Sequence, residues 1–121
     1  MQIQLDNGEH SVQIEAYQDG KLKINKKDYS LPLYLTPESI EQIRDCSQLR
    51  NLTQNHIDKI MANKPEVVLL GTGKTTRFLD ENLNAYCISN HFVIDVMSTD
   101  AACRTFMLLA AEGRDVAALL L

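Results

Sequence analysis

The chain has 121 residues, 45% hydrophobic and 23% charged, a size and composition suited to one globular domain around a single core. Its formal charge is −4, and its twelve basic residues are scattered along the sequence without a dense run, which argues against nucleic acid as a partner. The longest apolar runs, Val67 to Leu70 and Val116 to Leu121, fall far short of the about 20 residues that a membrane span requires.

The opening stretch, MQIQLDNGEH, has neither a basic and apolar secretory pattern nor the Arg-rich character of an organelle presequence, so the expected location is the cytoplasm. Short alternating stretches come next: Ile3 and Leu5; Val12, Ile14 and Ala16; Leu22 and Ile24. They are separated by Asn7-Gly8 and Asp19-Gly20, dipeptides that accept the positive φ of hairpin turns, and residues 1–35 therefore read as a β-meander. A third turn is expected around Asn25 to Asp28, leading into YSLPLYL, where Pro32 marks an edge position or a strand start.

Thr36, Pro37 and Glu38 have the chemistry of a helix N-terminus, but Ile40 and Ile43 are the only apolar pair after them, so a helix over 36–45 rests on its start alone. Thr53 is a better N-cap, opening a helix through about Ala62 with Ile57, Ile60 and Met61 on one side; Pro65 ends that element before the next begins.

From residue 66 to 121 the pattern is β-α-β-α-β: an apolar run at 66–71, a glycine loop, an amphipathic stretch with Leu79, Leu83, Tyr86 and Cys87, an apolar run at 92–96, a helix from Thr99 to about Glu112, and a final apolar run. Thr99 is read as the N-cap of that helix and Gly113 as its end. Apolar runs without polar alternation belong to strands buried on both faces. The expected fold is thus α/β: a three-layer single domain with a mixed central sheet, helices on both faces and the N-terminal meander alongside.

VVLLGTGKTTRF, at 67–78, raises the question of a phosphate loop. Gly73-Lys74-Thr75 supplies the end of the pattern G-x-x-x-x-G-K-[ST], but its first glycine would fall at Val68, and the dinucleotide pattern G-x-G-x-x-G would need a glycine at Thr76. The loop instead reads as a sharp turn at the carboxyl end of a buried strand. Loops at such ends line the crevice where open α/β sheets bind ligands, and a second one, Met97-Ser98-Thr99, is expected beside it. The candidate ligand-binding residues are Gly71, Thr72, Gly73, Lys74, Met97, Thr99 and Arg104, which would hold a small anionic group; Arg104 can alternatively pair with Asp100, four residues away.

No catalytic set stands out: G-x-S-x-G is absent, and Cys103 falls inside a helix. Cys46, Cys87 and Cys103 are an odd number without a C-x-x-C pair, as expected of reduced thiols. Cys87 and His91 stand four apart, but no second ligand pair accompanies them, and no metal or cofactor is expected.

VVLLGTGK and VIDVMSTDAACRTFMLLAAEGRDVAALLL, with the spacing between them, resemble a family of small, mostly uncharacterised domains that includes the mitochondrial respiratory complex I assembly factor 3 and many short bacterial proteins. The likeness is clearest from Pro65 to Leu121. By position it falls on Gly71, Thr72 and Gly73, on Met97, Thr99, Ala102, Arg104 and Thr105, and on Glu112, Arg114 and Ala117. The family commonly has Asn where this chain has Met107, and Asp or a similar residue where it has Ser98. The resemblance implies a three-layer fold and a non-enzymatic protein-interaction or complex-assembly module, with another protein or a respiratory-type complex as partner and homo-oligomers allowed. The alternative is a small anionic ligand-binding or enzymatic domain using the cleft between the two loops.

Overall fold

The computed structural model describes residues 3–5, 11–18 and 20–121. Among them run, in order, β1 (Ile3–Leu5), β2 (Ile14–Gln18), β3 (Lys21–Ile24), β4 (Lys27–Ser30), β5 (Leu33–Thr36), β6 (Ser39–Gln42), a 3-10 turn (Leu49–Asn51), α1 (Gln54–Met61), β7 (Val67–Gly71), α2 (Glu81–Ser89), β8 (Asp95–Met97), α3 (Thr99–Ala111) and β9 (Val116–Leu120). They form a mixed α/β domain of three layers.

The middle layer is a six-stranded sheet in the order β1-β6-β5-β9-β7-β8. β7, β8 and β9 are mutually parallel where they pair, and β5 joins β9 antiparallel. Every residue of β9 is buried, and alternate side chains serve opposite faces. Val116, Ala118 and Leu120 enter one core with Phe106 of α3 and with Leu22 and Ile24 of β3. Ala117 and Leu119 enter the other with Ile57 and Ile60 of α1 and Leu83 and Cys87 of α2. Unbroken apolar composition in β7 and β9 is thus what a strand covered on both sides requires.

The second sheet, β2-β3-β4, lies on the α3 side. Gly20 stands at φ +74 in its first turn, while Asp19 lies outside the described residues. Asn25 and Lys26, both at positive φ, make the two-residue loop between the paired Ile24 and Lys27, so residues expected as a turn up to Asp28 are already strand β4. The meander itself is β2 to β4. The expected Asn7-Gly8 turn and His10 lie outside the described residues, and β1 is not a meander strand: it pairs with β6 at the edge of the main sheet.

The Thr36-Pro37-Glu38 run starts no helix. It turns a hairpin in which Thr36 pairs with Ser39, their hydroxyls 2.6 Å apart, and Leu35 with Ile40. Residues with helix-start chemistry also suit tight turns, and two apolar residues spaced three apart do not sustain a helix against strand pairing. Pro32 does mark a strand start, that of the interior strand β5. Thr53 caps α1 as expected, with its backbone N–H donating to His56 Nδ1 at 2.9 Å.

Candidate functional site

Gly71 at the end of β7 is in register with Met97 at the end of β8, so the two loops read as site elements emerge at one rim of the sheet. They are stitched together. Thr72 N donates to Met97 O at 2.9 Å, and Thr99 N donates to Gly73 O at 2.8 Å. The chain after β8 feeds α3 on one face and the chain after β7 feeds α2 on the other, the arrangement that opens a crevice in α/β sheets.

Close packing explains the first glycine. A Cβ on Gly71 would lie 2.9 Å from Thr99 Cα and 3.2 Å from Leu120 Cδ2. Gly73 has open space around its Cα but a φ of +101, which only glycine adopts readily. Thr99 is wholly buried: its Oγ1 accepts from Gly73 N and donates to Leu121 O, both at 2.8 Å. Thr72, also buried, donates its hydroxyl to Thr75 O at 2.7 Å and accepts from Arg77 N at 2.9 Å. Both threonine hydroxyls therefore hold the rim in shape.

The cap of α3 is Ser98, one residue earlier than expected; its backbone is extended and its Oγ accepts from Ala101 N at 3.3 Å. Thr99 is already helical, with its side chain turned into the core instead of back along the helix. Arg104 is exposed and pairs with Asp100. Met97 is partly buried against the core on the α3 side. Phe78 is 84% exposed and fills no cleft.

The open space at this rim is a depression of about 580 Å³ lined by Thr72, Gly73, Lys74, Thr75 and Arg77 from the glycine loop, and by Ser47 to Arg50 and Leu121. Of the candidate residues, Thr72, Gly73 and Lys74 border it; Gly71, Met97, Thr99 and Arg104 are not in its wall. Met107, the position at which the resembling family commonly carries Asn, faces the meander: its Sδ accepts from Ile14 N at 3.2 Å.

A second cavity, about 600 Å³, was not anticipated; it lies between β5, β6 and α1 and is bordered by Tyr34, Glu41, Asp45, His56 and Lys59 among others. The Glu41 carboxylate is buried and accepts from Lys59 Nζ at 3.1 Å. His56 Nδ1, accepting from Thr53 N, leaves Nε2 to donate to Asp45 Oδ1 at 3.1 Å, and this bond holds the Asp45 carboxyl below its ordinary range. Burial pushes the Tyr34 phenol up, with the nearby charges of Glu41 and Asp115 adding to it and Asn63 opposing. These groups come from strands and a helix far apart in sequence, and no local motif announces them.

The thiols are buried. Desolvation raises Cys103 to about 12, Cys46 to about 11, and Cys87 in the same direction. His91 lies beyond the end of α2 with φ +58, so it does not share a helical face with Cys87.

A family model described as "Protein of unknown function (DUF498/DUF598)" matches residues 14–121. The chain is 26% identical over 122 residues to the "13 kDa major membrane protein" of Francisella tularensis subsp. holarctica, covering 100% of this chain and 99% of that one. The crystal structure of an outer membrane protein from Bartonella henselae matches at a TM-score of 0.74 and 34% identity, over 90% of this chain and 92% of that one. The solution structure of a Bordetella pertussis protein described as a Mth938-like domain matches at a TM-score of 0.76 and 24% identity over 100% of this chain and 92% of that one, a likeness of fold.

Proposed function

This chain belongs to the DUF498/DUF598 family, and from that premise we propose that it is a protein-interaction or complex-assembly module that docks partners along the β8 side of its main sheet. The observation that supports this is apolar exposure in one stretch of chain: Phe78 just before α2 is 84% exposed, Ile88 in its last turn 66%, and Val93 just after it 75%. Single exposed apolar residues are ordinary, but this stretch leads directly into β8, a short edge strand whose outer side has no neighbouring strand among the described residues. The partner in this reading is another protein, of the respiratory-complex kind suggested by the resemblance to complex I assembly factor 3.

No helix among the described residues is long and apolar enough to cross a membrane. The cytoplasmic location is a separate part of the proposal, carried by the sequence pattern of three cysteines without a C-x-x-C pair. Two relatives carry membrane protein names, so the partner search includes the envelope fraction. Tagged protein should recover a specific partner from the soluble or the membrane fraction, and a variant with Phe78, Ile88 and Val93 all changed to Ser should lose it. Recovery of nothing specific from either fraction sinks the proposal; a concentration-dependent dimer abolished by the same changes makes the partner a second copy.

A second reading is a small anionic ligand at the glycine-loop rim. It is favoured by Lys74, whose loop borders an open depression at the carboxyl end of a buried parallel strand.

A further inference from the structure

We propose that the depression at the glycine-loop rim is a binding site for a phosphate-bearing small molecule, held by Arg50, Lys74 and Arg77 and not by Arg104. The inference rests on the second functional reading, that this rim takes an anion, and changes which residues do so.

The three cations come from two separate places: Arg50 from the 3-10 turn before α1, Lys74 and Arg77 from the loop after β7. The fold brings them to one wall. No Asp or Glu side chain lines the depression, although acidic residues outnumber Lys and Arg in this chain by 16 to 12. Three other cations are matched: Lys59 with Glu41, Arg104 with Asp100 and Arg114 with Glu66. None of Arg50, Lys74 and Arg77 makes an ion pair with a described residue. Positive charges gathered in a concave wall repel one another, and an anion seated among them relieves that.

The loop backbone adds donors of the same preference. Among the described residues, the N–H groups of Lys74 and Thr75, both of which border the depression, donate to no protein acceptor, unlike those of Thr72, Gly73 and Arg77, which are committed to the rim. Successive free N–H groups in a turn suit a phosphate's several oxygens, and arginines bind them in pairs. Leu49 and Leu121 give the wall an apolar part, and about 580 Å³ exceeds what a bare inorganic ion needs, so the ligand carries a body beyond its phosphate.

The test is titration of isotope-labelled full-length chain with inorganic pyrophosphate, with chloride at matched ionic strength as control. Support is a saturable shift of the amide signals of Lys74 to Arg77 that chloride does not reproduce, weakened at least about tenfold in Arg50→Ala/Arg77→Ala and unchanged in Arg104→Ala. All these side chains are exposed, so the variants keep their fold. Loss of binding in Arg104→Ala with the Arg50/Arg77 variant unaffected overturns the inference and leaves the second reading standing. No saturable shift in the wild type removes both.

Discussion

Replacing Gly71 by Ala tests how the rim is held. The added Cβ would sit 2.9 Å from Thr99 Cα and 3.0 Å from Thr99 Oγ1. Carbon atoms rest at about 3.5–4.0 Å, so the start of α3 must retreat from β7 by more than half an ångström. Truncating a side chain does not relieve this, because the nearest obstacle is backbone. Overpacking of this kind costs about 1–3 kcal/mol. The retreat also stretches Thr99 N to Gly73 O and Gly73 N to Thr99 Oγ1, both 2.8 Å, each contributing about 1 kcal/mol. Against this, alanine lowers the entropy of the unfolded chain, a gain of about 0.4–1 kcal/mol. The net expectation is a loss of about 2–4 kcal/mol, or a Tm lower by about 6–20 °C for a domain of this size. Urea unfolding measures it, with the midpoint falling and the slope unchanged. Gly73→Ala is the contrast: nothing lies within 4 Å of its Cβ position, so its cost comes only from the φ of +101. A Gly71→Ala protein as stable as the wild type, or one restored by adding Thr99→Ala, would refute the account.

Thr99→Val keeps the shape of a wholly buried side chain but strands Gly73 N–H and Leu121 C=O; urea unfolding should register a loss of about 1–3 kcal/mol, and Thr99→Ser a smaller one. The three thiols, all raised by burial, should react with a disulfide reagent at pH 8 only after denaturation, and fast labelling of native protein would contradict their placement. The hydrogen bond from Arg114 Nε to Glu66, at 2.8 Å, lowers the Glu66 carboxyl from 4.5. Its contribution is present above that value and lost as pH falls through the lower folded one, so the Tm gap between wild type and Glu66→Gln should hold at neutral pH and close in acid. A gap independent of pH would mean that the pair contributes nothing.

Where a residue's role is set by its neighbours in sequence, the chain could be read directly. The unbroken runs at 67–71 and 116–120, the Thr53 cap and the glycine turn needed no tertiary knowledge, and the meeting of the two loops came from βαβ order. Thr36 to Gln42 could not be read this way, because turn and helix-start chemistry use the same residues and only pairing with β5 decides between them. Thr99 shows the same limit in reverse. It has cap chemistry, but a buried acceptor at Leu121 O, 22 residues distant, draws its hydroxyl inward and leaves the cap to Ser98. Arg50 joins Lys74 and Arg77 only through the fold, so cations that look dispersed along the chain share one wall.

The position of β9 has a consequence for biosynthesis. It sits between β5 and β7, pairing with Leu33 to Leu35 on one side and with Val67 to Gly71 on the other. Until Val116 to Leu120 have left the ribosome, the early hairpin and the later parallel pair have no shared strand, and both keep open edges to other chains. A nascent polypeptide of this kind needs shielding until β9 emerges, and loss of that strand would leave the hairpin and the parallel pair unjoined.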